Sequence, residues 1–183
     1  MGRTYERIAT EGSDVFYTGA IADLIEADML ANGGLITKQD LAACVPTVKP
    51  PLFGSYRGIQ VATNQLPGGG PMILQMLNIL ESFDLSSMGH NSALYIATVA
   101  EAMKLATIDK DRRLGDPDFI DTSLDEIVSK AYARSLAGQI RAGEKAVVAR
   151  INNGSAESQD TTHLVVADTD GNIVNVTHSL GSS

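Results

Sequence analysis

Asp160-Thr161-Thr162-His163 sits where a polar, glycine-containing stretch gives way to a run of alternating apolar residues. A threonine hydroxyl is a weak nucleophile unless a neighbouring group takes its proton. One solution places the threonine first in a chain, so that its own α-amine, titrating near ~7.7–8.0, serves as the base. The β-branched side chain holds χ1 stiffly, which fixes the direction of the hydroxyl. An internal threonine reaches that state only when the bond before it breaks, and a threonine pinned after a polar loop is able to attack the preceding carbonyl. The product is an ester that water opens. From spacing alone, Thr-Thr at a strand start fits plain β-propensity as well. Both readings stand on the residues themselves.

Three further features carry less chemistry. Gly68-Gly69-Gly70 precedes a helix, whose free N–H groups attract anions. It lacks the Lys-Ser/Thr of a phosphate loop and the spaced glycines of a dinucleotide fingerprint, which leaves a tight turn as the reading. Asp109, Asp111, Arg112, Arg113, Asp116 and Asp118 read as a solvated helix end with local ion pairs. In a hairpin turning at Asp170-Gly171, His163 faces His178 or its neighbour. Two facing histidines can hold a metal, but no third ligand accompanies them, so a hydrogen-bonded structural pair is expected and no metal or cofactor.

Composition narrows the partners. The 183 residues carry 22 acidic against 14 basic side chains, a net charge of −8, which argues against nucleic acid or an anionic membrane surface as partner. No apolar run approaches the ~20 residues that span a bilayer, and Met1 to Arg7 does not read as a signal peptide. Cys44 is the single cysteine and makes no internal disulfide. Forty-four per cent of the chain is apolar, enough for a buried core.

The elements that must hold these residues follow from patterning. Helices are expected at Thr4–Glu11, at Ala20–Ala31 stopped by Asn32-Gly33-Gly34, and at Lys38–Ala43 capped by Thr37. Residues 52–63 read as a β-ribbon. Further helices are expected at Met72–Phe83, from Asn91 or Ser92 to about Asp111, and at Leu124–Ile140 behind a Ser123-x-x-Glu126 capping box. Residues 141–160 read as an exposed linker. Two strands, Thr162–Ala167 and Ile173–Leu180, then flank Asp168 to Asn172 as a hairpin. Two strands are marginal alone, so the ending Gly181-Ser182-Ser183 reads as a chain cut short, with open strand edges through which copies can self-associate.

The stretch from Asp160 to Val174 resembles the subunit junction of the γ-glutamyltranspeptidase family. Other matches follow in family order: Phe16-Tyr17-Thr18-Gly19, Asn32-Gly33-Gly34-Leu35-Ile36-Thr37, Tyr56-Arg57-Gly58, Ile79-Leu80-Glu81, Gly89-His90-Asn91-Ser92, Glu101-Ala102-Met103-Lys104 and Leu114-Gly115-Asp116-Pro117-Asp118-Phe119. The resemblance implies an autoprocessing N-terminal-nucleophile hydrolase that acts on small γ-glutamyl substrates such as glutathione, with water or amino acids as acceptors. It makes Thr161 the nucleophile and Asp160-Thr161 the processed bond. Ser179 stands where the family commonly has a second threonine beside the nucleophile. The hairpin arithmetic agrees, setting either 162 or 161 opposite 179, near enough to polarise or orient the nucleophile; a simple cross-strand Thr–Ser bond is the alternative. Gly181 stands where family members often carry a substrate-contacting asparagine, a departure that leaves cephalosporin-acylase-like or polyglutamate-cleaving relatives open.

The implied fold is α+β, a fragment of a four-layer αββα sandwich. Residues 1–140 are the helical part of the large-subunit region, 141–160 the linker to the processing site, and 161–183 the start of the small-subunit region. The family's donor-binding arginine lies upstream and its oxyanion donors downstream, so the fragment alone is expected to be inactive. Family members are commonly periplasmic or extracellular. A non-catalytic interaction domain is the alternative of a different class.

Overall fold

Helices and two antiparallel hairpins make up the computed structural model, the α+β arrangement that the patterning implies. It describes residues 2–46, 48–149 and 161–179. Asp160, Gly181 and most of the expected linker lie outside the described residues. The chain divides into two units, Met1–Leu52 and Phe53–Ser183.

The first unit holds α1 (Gly2–Glu11), α2 (Asp14–Tyr17), α3 (Ala20–Asn32) and α4 (Lys38–Ala43). Gly33 ends α3 in the left-handed region with φ +72°, the expected stop. Thr37 caps α4 through a reciprocal box with Asp40: the Thr37 hydroxyl accepts from Asp40 N at 3.2 Å, and Thr37 N donates to Asp40 Oδ2 at 2.8 Å. Lys38 ties this start to α3, donating its N–H to Glu26 Oε1 at 2.8 Å and its ammonium to Asp23.

Next in the chain come β1 (Leu52–Tyr56), which lies in the second unit from Phe53 on, and β2 (Ile59–Thr63), joined at Arg57-Gly58. Both turn residues have positive φ, +49° and +81°, as a type I′ turn requires. Arg57 is not a glycine, and its conformation is held from outside the turn. Its N–H donates to Glu81 Oε1 at 2.5 Å and its guanidinium to the Phe83 carbonyl at 2.8 Å. The Lys130 ammonium completes the clamp, bonding Glu81 Oε2 and the Ser55 carbonyl at 2.6 Å each. That pairing, with Lys130 first and the Arg57 N–H second, holds the Glu81 carboxyl below its usual range.

Three helices form the core: α5 (Gly70–Leu80), α6 (Ala93–Arg113) and, after the single turn α7 (Leu124–Ile127), α8 (Lys130–Arg141). Ile79, Ala102, Ala133, Leu136 and Ala137 are buried between them, with Phe83, Leu105 and Ile140 packed around. The alanines let the helix axes approach closely. The expected continuous helix over 124–140 is two helices instead. Ser123 makes no side-chain cap bond. Ser129 is extended and caps α8, accepting from Tyr132 N at 3.1 Å. The Val128 carbonyl freed at the break accepts from Asn78 Nδ2 of α5 at 2.7 Å, so a distant side chain stabilises the interruption.

The expected solvated charge cluster is also corrected at one member. Asp109 is buried, taking Gln75 Nε2 at 2.5 Å and the Tyr132 hydroxyl at 3.1 Å, with the Arg113 guanidinium at 3.8 Å. Burial, then the bond to Asp109, pushes the Tyr132 phenol up. The glycine loop is explained by space: a Cβ on Gly70 would collide with the Asn64 carbonyl, and one on Gly68 with the Asn64 amide.

Candidate functional site

The final pair of strands, β3 (Thr161–Ala167) and β4 (Ile173–Ser179), carries the expected nucleophile. The register places Thr161 opposite Ser179, Thr162 opposite His178 and His163 opposite Thr177. Of the two registers open to the sequence, the structure adopts the one that makes Thr161 and Ser179 direct cross-strand neighbours. Opposed Cβ atoms in such pairs lie about 4.5–5.5 Å apart.

The turn explains the choice. Asp168 N donates to the Asn172 carbonyl at 3.0 Å, leaving Thr169-Asp170-Gly171 as a three-residue loop. Gly171 takes φ +85°, the left-handed position that such loops require. Asp168 rivets the bend: its Oδ1 accepts from Asp170 N at 3.0 Å and Asn172 N at 2.9 Å, and its Oδ2 from Asn172 Nδ2 at 2.8 Å. The Asn172 amide, foremost, holds the Asp168 carboxyl below its usual range.

The odd loop length also decides the histidines. His163 meets Thr177 instead of His178, with Nδ1 2.8 Å from Thr177 Oγ1. The expected hydrogen-bonded histidine pair is therefore a His–Thr pair. Among the described residues no group of three or more His, Cys, Asp or Glu stands ready for a metal. Strand alternation puts His163 and Thr177 on one face and Leu164, Val166, Val174 and Val176 on the other. The latter four are exposed.

Sequence reasoning missed one long-range contact. Glu101 of α6 is buried and accepts from the backbone N–H of Ala146 at 2.9 Å, just past the end of α8. Lys104 donates to its other oxygen at 2.9 Å. The Glu101-x-x-Lys104 spacing signals a helical ion pair, but nothing local signals a partner 45 residues away.

Comparison with solved structures places this fold beside N-terminal-nucleophile hydrolases. It superposes on the Helicobacter pylori γ-glutamyltranspeptidase with a TM-score of 0.70 and 36% identity, covering 84% of this chain and 46% of that one. The cephalosporin acylase of Bacillus halodurans gives a TM-score of 0.73 at 28% identity, over 96% of this chain and 31% of that one. The family model described as gamma-glutamyltranspeptidase matches residues 1–183, and the chain belongs to that family. The glutathione hydrolase proenzyme of Escherichia coli K12 is 43% identical over 187 residues, all of this chain and 32% of the relative. The Acylase ACY 1 proenzyme of Pseudomonas sp. strain SE83 is 38% identical over 94% of this chain and 31% of its own length. The chain thus spans about a third of the curated relatives it matches. Among the described residues no helix is long and apolar enough to cross a membrane.

Proposed function

We propose that this chain is the junction region of an autoprocessing γ-glutamyltransferase or hydrolase, with Thr161 as the nucleophile of both self-cleavage and turnover. The observation that carries the reading is the register that sets Thr161 against Ser179 at the start of a strand. In processing, the Thr161 hydroxyl oxygen adds to the Asp160 carbonyl carbon and the Asp160–Thr161 C–N bond breaks. The nitrogen leaves as the Thr161 α-amine, and water hydrolyses the resulting ester to free the Asp160 carboxylate. In turnover the α-amine takes the hydroxyl proton, the oxygen attacks a γ-glutamyl amide, and the departing amine receives that proton. Water or an amino acid then resolves the acyl-enzyme.

Ser179 orients the nucleophile from the facing strand, and Gly181 takes the place that the family resemblance gives to a substrate contact. On this reading residues 1–140 form the helical large-subunit region, 141–160 the linker to the cut, and 161–183 the start of the small-subunit region. In the full-length precursor, Thr161→Ala is expected to leave one uncut band on a denaturing gel and no turnover. Two bands from that variant overturn the assignment. A second reading, an acylase of related mechanism, is favoured by the similarity to the Acylase ACY 1 proenzyme. A donor screen of γ-glutamyl amides against acyl-cephalosporins separates the two.

A further inference from the structure

The segment between α8 and the junction hairpin leaves the helical core under restraint. After Arg141 the chain turns at Gly143, φ +79°, with Glu144 N bonding the Gln139 carbonyl at 3.1 Å. No regular structure follows over 144–149. Yet Ala146 is held, because its N–H points at Glu101, a carboxylate only 5% exposed in the middle of α6. A buried carboxylate is costly to leave without donors, so the two donors it has, Ala146 N and Lys104 Nζ, are held as firmly as they hold it. These donors, Lys104 first, keep the carboxyl below its usual range, so it stays an anion at neutral pH.

We propose that Glu101 is a positioning residue for self-cleavage: it fixes the point at which the junction segment departs from the helical core, and it keeps the new chain end docked up to Ala146 after the cut. The proposal rests on the reading of Asp160–Thr161 as the processed bond. Without the clamp, the restraint on the chain beyond α8 ends at Gly143 instead of Ala146, and its direction of exit from the core is no longer fixed. Added slack of three residues costs little by itself. Loss of direction is the larger effect, and local access to the Lys145–Ala146 bond is the most direct readout.

The test uses the full-length precursor. Limited trypsin digestion with mass detection follows cutting after Lys145, a denaturing gel follows the split before Thr161, and turnover is measured per mole of split enzyme. Glu101→Ala is expected to speed cutting after Lys145 roughly tenfold, the loss of one charged hydrogen bond. It is expected to slow the split by more than the ~1.3-fold that three residues of slack alone give, with turnover of split enzyme unchanged. A general loss of fold would lower turnover too. Glu101→Gln keeps an acceptor oxygen and is expected to fall between, so it carries the test if the alanine variant does not fold. Wild-type tryptic rates in both variants, or in the glutamine variant alone if only that one folds, overturn the proposal. A wild-type precursor that never splits would refute the processed bond, while protection of Lys145–Ala146 would still report on the clamp.

Discussion

At the scale of single residues, the site rests on hydroxyls and carboxylates with assigned neighbours. Ser179 faces Thr161 across the hairpin. If it handles or orients the nucleophile's proton, Ser179→Ala is expected to slow processing by ~10²–10⁴-fold while Ser179→Thr stays near wild type. A time course of subunit formation on a denaturing gel checks this, and wild-type kinetics in the alanine variant would reduce the residue to a strand contact. Glu81 offers a pH prediction. Its carboxyl is lowered in the folded state by Lys130 and the Arg57 N–H, so the stabilisation is present above the unfolded value near ~4.3. It is lost as pH falls through the lower folded value. Glu81→Gln is therefore expected to cost about 1 kcal/mol at neutral pH, discounted because the pair is partly solvated. Denaturant melts of both proteins should converge in acid. Thr161 and Ser179 were nameable as candidates from the family resemblance and the hairpin arithmetic, and the register sets the two positions opposite each other. Glu101 was not, since its partner is a backbone N–H whose position depends on the packing of two helices.

At the scale of elements, caps and turns decided where sequence patterning succeeded. Ser92 caps α6 by accepting from Tyr95 N at 3.1 Å, and Gly33 ends α3, both readable from local residue type. The break between α7 and α8 was not readable, because Ser123-x-x-Glu126 promises one long helix. The interruption is stabilised by the bond from Asn78 to the Val128 carbonyl, 50 positions away in sequence. Ser129→Ala is expected to cost about 1 kcal/mol, the usual penalty for a lost N-cap, seen as a lower urea midpoint with unchanged slope. Gly70→Ala is expected to cost more, about 1–3 kcal/mol, because its methyl would meet the Asn64 carbonyl and the backbone must shift. The junction register was legible to within one residue. Asp170-Gly171 suggests a two-residue turn, whereas the Asp168 carboxylate gathers three donors and closes a three-residue loop.

At the scale of the whole molecule, the chain spans about a third of its curated relatives, and the proposed chemistry needs more than a nucleophile. Removing one oxyanion donor alone typically costs ~10²–10³-fold. The 183-residue chain by itself is expected to release no aniline from a chromogenic γ-glutamyl anilide and to keep the bond before Thr161 intact by intact mass. Turnover above a heat-killed control would show the active unit to be smaller. The hairpin has a temporal consequence as well. Its two strands close across three residues, and hairpins of this kind form in about 1–10 μs, while a lone pair of strands is barely stable in water. Thr161 and Ser179 therefore meet early and part often, before slower parts of the fold arrive. On the proposed chemistry self-cleavage needs that encounter to last, so a precursor is expected to split only after the rest of the fold has steadied the hairpin.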